Sequence, residues 1–195
     1  MDTVLTIVIG YLIGCFSSAY FIGKFTKGID IRSHGSGNAG ATNALRIMGV
    51  KLGAVTLLMD AFKGIIAVLV GRLVMGYNGG LICGFFAVIG HNWPIFLQFK
   101  GGKGVATSIG VLATLHFTSA LAAAPLAIII IIITRYVSLG SLVYLISVPI
   151  SYALMTSDFR KEHFLVALLL ALLSIYRHKS NIQRLLTGNE NRIGR

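Results

Sequence analysis

With 195 residues, 55% of them hydrophobic, only 12% charged, and a mean hydropathy of +0.83, the chain has too little polar surface to coat a soluble globule. Its formal charge of +11 would suggest nucleic acid in a soluble protein; in an integral membrane protein it reads as basic loops gathered on one side, and no nucleic-acid partner is expected. Cys15 and Cys83 both sit in apolar runs, so neither a disulfide framework nor a cysteine-based metal site is suggested.

The N-terminus, Met1-Asp2-Thr3, lacks a basic leader region, which predicts a retained first helix. Thr3 to Gly23 is uncharged and long enough to cross ~30 Å of hydrocarbon. Lys24 and Lys27 close this span on the predicted cytoplasmic side, and a polar, glycine-rich loop follows, GIDIRSHGSGNAGATNALR from Gly28 to Arg46. Glycines let backbone N–H groups approach an anion, and arginine offers a permanently charged fork, so the loop predicts a phosphate site. The spacing Gly35-x-Gly37-x-x-Gly40 matches a dinucleotide fingerprint, but the preceding segment is apolar and no βαβ unit surrounds it, which rules out a Rossmann domain.

A second span, about Leu52 to Gly71, carries Asp60 and Lys63, which at i,i+3 spacing share a helix face and can pair; they are read as structural. Arg72 to Gly80 predicts a turn, and a third span runs from about Leu81 to Phe99, with Pro94 expected to kink it. Near its end comes GHNWPIFLQFKGGKGVATS, a second polar cluster with ammonium groups beside glycines. It lacks the spacing of a Walker A loop. The 31 uncharged residues between Lys103 and Arg135 would make one helix of about 46 Å, so two short helices turning near His116 to Ser119 are predicted, with Pro125 in the second. Tyr136 to Ser157, containing Pro149, and Phe159 to Tyr176 complete the spans.

The fold class is therefore all-α: a polytopic membrane protein of about seven transmembrane helices, some short or kinked, forming one domain over residues 1–195. With the N-terminus outside and the C-terminus cytoplasmic, thirteen basic residues fall inside, Arg195 among them, and three outside, Arg72, Arg160 and Lys161. That topology puts both glycine-rich clusters and the basic tail, RHKSNIQRLLTGNENRIGR, on one face, and places His116 and His163 on the other. In the tail, His178 and Asn181 are three apart, so a helical continuation of the last span would point both the same way.

Only six carboxylates exist, Asp2, Asp30, Asp60, Asp158, Glu162 and Glu190, and none are grouped to hold the metals of a two-metal phosphotransfer. No histidine has an aspartate five positions on, so the H-x-x-x-x-D pair of coenzyme A-dependent glycerolipid acyltransferases is missing. What remains is a cationic, glycine-lined membrane surface suited to two anionic partners, one of them lipid-like. An anion transporter fits the glycine-rich breaks and intramembrane charges, but the halves show no paired repeat with broken segments.

The three stretches DIRSHGSGNAGATNALR, GHNWPIFLQFKGGKGVATS and RHKSNIQRLLTGNE, in this order, closely resemble the three motifs of the bacterial acyl-phosphate:glycerol-3-phosphate acyltransferases, the PlsY family, over essentially the whole chain. The resemblance implies a seven-helix enzyme of the bacterial inner membrane that moves a fatty acyl group from acyl phosphate to the 1-hydroxyl of sn-glycerol 3-phosphate. It implies no metal and no cofactor, and makes the enzyme that produces the acyl phosphate a candidate partner beside membrane lipid. On this reading Ser36, Arg46, Lys103, His178 and Asn181 carry the reaction. Gly37, Asn38, Ala39, Gly40, Thr42 and Asn43 of the first loop, with Lys100, Gly101 and Gly102 of the second, bind substrate, and Ser141 is a further candidate. His91 and Glu190 are expected to be structural, His91 bridging motif backbones and Glu190 anchoring the tail to a basic neighbour.

Overall fold

The computed structural model describes residues 1–194, and the helices among them form two compact units, Met1–Leu115 and His116–Arg195. Arg195, counted above with the basic tail, lies outside the described residues.

In the first unit the expected opening span is two helices. Helix α1, Asp2–Cys15, ends at Phe16, and α2, Ser18–Lys27, begins after Ser17, which takes extended backbone angles. Two reasons for the break are visible: serine favours the cap position over a helix interior, and the Phe16 carbonyl accepts a 2.6 Å hydrogen bond from Lys63 Nζ. Lys24 and Lys27 fall in the last turn of α2, where positive charge complements the helix dipole, and Gly28 closes it at φ +68°. After the glycine-rich loop, α3 covers Ala41–Met48.

Helix α4, Val50–Asn92, is a hairpin of two arms, because Met75 and Gly76 leave helical angles and Gly76 takes φ +61°. The turn expected over Arg72 to Gly80 is thus confined to these two residues. The arms approach so closely that a Cβ at Gly71 would collide with the Gly79 carbonyl, and one at Gly79 with that of Gly71. The second arm packs on α1 through Gly10 and Gly14, whose added Cβ atoms would strike the carbonyls of Cys83 and Ala87. Such small-residue seams let helix backbones meet where lipid offers no hydrophobic drive. Helix α4 stops at Asn92, ahead of Pro94, which disfavours helical angles at Trp93; the expected kinked span to Phe99 is therefore a helix end followed by a 3-10 turn, Ile95–Leu97. Helix α5, Val105–Leu115, then returns along the first arm, with Gly110 against the Ala61 carbonyl and Gly64 against that of Thr107.

In the second unit α6, Phe117–Thr134, starts where the sequence predicts a turn, with the His116 side chain accepting a hydrogen bond from the Ser119 amide at 3.3 Å. Helix α7, Val137–Met155, packs on it, Gly140 seating against Ile131. Helix α8, Lys161–Arg177, and α9, Lys179–Leu186, meet at a bend of 62°.

Among the described residues, four helices or continuous helical stretches are long and apolar enough to cross a membrane, or five if α8 and α9 count as one bent span; α5 is a shorter apolar helix. Leu58, Leu73, Ile132, Ile133 and Leu154 are largely exposed, as lipid-facing side chains are. The protein is membrane-embedded.

Candidate active site

The first glycine-rich loop is held from within. Asp30 caps the 3-10 turn Ile31–Ser33 by accepting from the Arg32 amide, and its carboxylate also takes the Arg32 guanidinium, Nη2 to Oδ2 at 2.6 Å. The guanidinium hydrogen bond holds the Asp30 carboxyl below its ordinary range, and Asp30 raises Arg32 in return. Beyond this turn Gly35 and Gly37 take φ +59° and +70°, a region any Cβ would strain. Asn43 on α3 lies beneath them, 2% exposed: its Oδ1 accepts from the Ser36 amide at 2.9 Å, and its Nδ2 donates to the carbonyls of Ile31 and His34. Every amide contact found for Asn43 is to loop backbone, so it shapes the loop from below. Ser36 and Gly37 are exposed above it, as is Arg46, one turn further along α3.

The second cluster is fastened to the first. Asn38 Nδ2 donates to the Gly101 carbonyl at 3.4 Å, Arg32 Nη1 donates to the Leu97 carbonyl at 2.8 Å, and a Cβ at Gly40 would lie 4.0 Å from Gly102 Cα. Two glycine-rich loops more than sixty residues apart thus meet within one unit, with Lys103 half-buried and Lys100 exposed at their edge. Ala39 is buried, while Thr42 and Gly40 are half-buried. Tyr11 on α1 supports the second cluster by donating to the Trp93 carbonyl at 2.8 Å.

Beneath the second cluster lies a buried polar node. Asp60 and Lys63 pair at 2.9 Å, with side chains only 1% and 6% exposed. Asp60 also accepts from Ser18 Oγ at 2.8 Å, and Lys63 Nζ lies 2.8 Å from His91 Nδ1. His91 in turn reaches the loop, its carbonyl accepting from the Gly102 amide at 3.1 Å and its ring lying against Gly102.

In the second unit the tail is built around Glu190. Its Oε1 accepts from Asn181 Nδ2 at 2.6 Å and Ser138 Oγ at 3.0 Å, while Oε2 takes Arg184 Nε at 2.9 Å. Burial works to raise this carboxyl, but the hydrogen bonds from Asn181, Ser138 and Arg184 outweigh it and lower it below the ordinary 4.5. His178 stands at the α8–α9 bend, 2% exposed, with Nδ1 2.8 Å from the Ser174 carbonyl. A carbonyl only accepts, so Nδ1 carries the proton, and in the neutral ring Nε2 is the basic nitrogen. The last span does not continue straight, as the sequence suggested; yet the Ile182 amide donates to the His178 carbonyl at 2.8 Å, so His178 and Asn181 share the first turn of α9. Ser141 donates to the Val137 carbonyl in its own helix. His116 and His163 both pack edge or face on Tyr152.

Sequence reasoning overlooked several of these partners. Asp30 beside Arg32 in a polar loop is a visible capping signal. Ser18 and Ser138 carry no local signal, because their partners Asp60 and Glu190 lie 42 and 52 residues away, whereas Ser174 stands one helical turn before its partner His178, a spacing that could have been read.

Helices that cross the bilayer and a glycine-lined, cationic pair of loops define an integral membrane protein built to handle anionic substrates. Within that class the chain belongs to the glycerol-3-phosphate acyltransferase family, whose family model matches residues 4–188. It is 47% identical to the glycerol-3-phosphate acyltransferase of Thermoanaerobacter sp. (strain X514), covering 100% of this chain and 97% of that one. It is also 47% identical to the enzyme of the same name from Shouchella clausii (strain KSM-K16), covering 100% and 98%. Among solved structures it is similar to PlsY, an integral membrane glycerol 3-phosphate acyltransferase, in its glycerol 3-phosphate form, with a TM-score of 0.92 at 36% identity over 100% of this chain and 96% of that one. The lysophosphatidic acid form of PlsY gives a TM-score of 0.90 at the same identity. The protein is an acyltransferase of phospholipid biosynthesis.

Proposed function

We propose that this chain transfers a fatty acyl group from acyl phosphate to the 1-hydroxyl of sn-glycerol 3-phosphate, giving 1-acyl-sn-glycerol 3-phosphate and phosphate. It does so as one functional domain, residues 1–195, in the bacterial inner membrane, with seven spans, the N-terminus outside and the working face in the cytoplasm. The observation that carries the reading is the junction of the two glycine-rich loops through Asn38 and Gly101, with Lys103 and Arg46 at hand for phosphate.

In this mechanism the loop from Ser36 to Gly40, with Arg46 and Thr42, holds the donor phosphate while its acyl chain lies among the helices. Asn43 keeps the loop's shape. Lys103, Lys100, Gly101 and Gly102 stabilise the charge that grows on the departing phosphate, the term that dominates most acyl transfers. His178 and Asn181 orient the glycerol 3-phosphate, with Ser141 assisting from α7. The acceptor hydroxyl attacks the acyl carbon, the new ester C–O bond forms as the bond to the phosphate oxygen breaks, and the hydroxyl proton leaves with the phosphate or on His178 Nε2. Acyl phosphate is already activated, so positioning suffices and no covalent acyl-enzyme is required.

The test is phosphate release from palmitoyl phosphate by purified, lipid-reconstituted protein, with and without sn-glycerol 3-phosphate, and with palmitoyl-CoA as rival donor. Acceptor-dependent release from acyl phosphate alone is the expected outcome; silence with active protein rejects the donor. A His178→Gln enzyme with near-normal turnover would assign the proton to the phosphate.

A further inference from the structure

Lys63 Nζ has three hydrogens and three near acceptors: the Phe16 carbonyl at 2.6 Å, His91 Nδ1 at 2.8 Å and Asp60 Oδ1 at 2.9 Å. An ammonium donates and never accepts, so each acceptor must offer a lone pair. For His91 this has one consequence: Nδ1 is bare, and the neutral ring carries its proton on Nε2. The alternative, Nδ1–H directed at Asp60, is disfavoured because that separation is 3.7 Å and the ammonium lies nearer.

Nε2 is the edge of the ring that abuts the second glycine-rich loop. A Cβ at Gly102 would collide with it, and the Gly102 amide is bonded to the His91 carbonyl. The ring is buried, and Nε2 is its atom nearest to Gly102, between Gly101 and Lys103 in that turn. The chain has thus aligned a carboxylate, an ammonium and an imidazole so that a hydrogen-bond donor of fixed tautomer ends under a loop of backbone amides. The same node gathers the break of the first span, through Phe16 and Ser18, and both arms of α4.

We propose that His91 is a positioning residue for phosphate recognition: Lys63, held by Asp60, locks it as the Nε2–H tautomer, and that N–H supports the Gly101–Lys103 loop in its anion-receiving shape. The proposal rests on the functional reading above for the identity of the anion, sn-glycerol 3-phosphate or the phosphate of the donor. It goes beyond that reading in giving the intramembrane ion pair a role in affinity as well as in packing.

The experiment compares His91→Gln with His91→Asn. Glutamine carries an amide N–H to the position of Nε2; asparagine reaches only the Nδ1 position, facing Lys63. The expected result is a KM for sn-glycerol 3-phosphate raised about tenfold in His91→Asn, the size of effect expected if one hydrogen-bond donor is lost from beneath the loop, with kcat nearly unchanged and substantial rescue in His91→Gln. Calorimetric binding of inorganic phosphate to the same detergent-solubilised proteins should follow the same order. This arm needs no turnover, so a wild type that binds phosphate but moves no acyl group would reject the donor assignment and still decide the role of His91. Equal affinity in the two variants, or a loss confined to kcat, overturns the proposal. Nitrogen NMR of wild-type protein labelled at histidine, with the His91 signal assigned by its absence from the folded His91→Gln variant, reads the tautomer directly: a protonated Nδ1 on His91 also overturns the proposal.

Discussion

Two buried polar nodes in this protein are chemical opposites. In the first unit a cation, Lys63, is surrounded by three acceptors; in the second an anion, Glu190, is surrounded by three donors. They differ in their counter-ions. Lys63 is paired with Asp60, equally buried, whereas the partner of Glu190 is Arg184, whose side chain is 37% exposed. A fully enclosed pair is an all-or-nothing arrangement, because removing one ion strands the other, while a pair with one foot in water degrades gradually.

The comparison breaks first at Lys63. Lys63→Met leaves the Asp60 carboxylate enclosed without a cation, a loss of about 3–5 kcal/mol, whereas the double change with Asp60→Leu should recover much of it. Thermal unfolding in detergent measures both; a double variant no more stable than the single one would show that the pair is not the unit. Next comes Glu190→Gln, for which we expect about 1–2 kcal/mol, since glutamine still accepts from Asn181 and the released Arg184 reaches solvent. The second node also titrates. The Glu190 carboxyl lies below its ordinary 4.5 in the folded chain, so its contribution is complete above that pH and declines as pH falls through the lower folded value. Hydrogen exchange of the tail amides on acidification should lose protection in the wild type and show a smaller pH dependence in Glu190→Gln.

The sequence made the first node half legible and the second hardly at all. Asp60 and Lys63 stand out because charges inside an apolar run are costly, and their i,i+3 spacing announces the pair. Their third partner, the Phe16 carbonyl, was hidden: it becomes available only where the first helix breaks, and Ser17-Ser18 in a long apolar run reads as two small residues before it reads as a cap. The glycine-rich loops announced their chemistry through composition, but their junction depends on Asn38 and Arg32 reaching across more than sixty residues. At Glu190 the expected basic neighbour is Arg184, yet Asn181 and Ser138 bond to the same carboxylate. Long-range pairs such as Ser138 with Glu190 leave no trace in spacing, only in folded space.

Smaller changes sharpen the contrast between enclosed and open pairs. Arg32 and Asp30 are 20% and 32% exposed, so as an ion pair they contribute little, about 1 kcal/mol or less. Arg32 also holds the Leu97 carbonyl and lies 5.3 Å above the Tyr20 ring, geometry that a lysine ammonium cannot copy. Arg32→Lys should therefore leave the unfolding temperature nearly unchanged while raising KM for the phosphate-bearing substrates a few-fold, because the two loops lose one of their fasteners. A drop in stability without a change in KM would mean that the arginine serves its own loop and not the junction.

The smallest effect belongs to Asp158 and Arg160, a 3.0 Å pair with side chains 75% and 50% exposed. Here solvent screens the attraction, and the Arg160 amide is held by the Tyr152 hydroxyl whether or not Asp158 is charged. Asp158→Asn should thus shift stability by less than about 0.5 kcal/mol, at low or high salt alike. A larger, salt-sensitive loss would indicate that the Asp158 carbonyl, which accepts from Tyr152 and Thr156, depends on the side chain for its geometry, and that exposure alone does not rank the ion pairs of this protein.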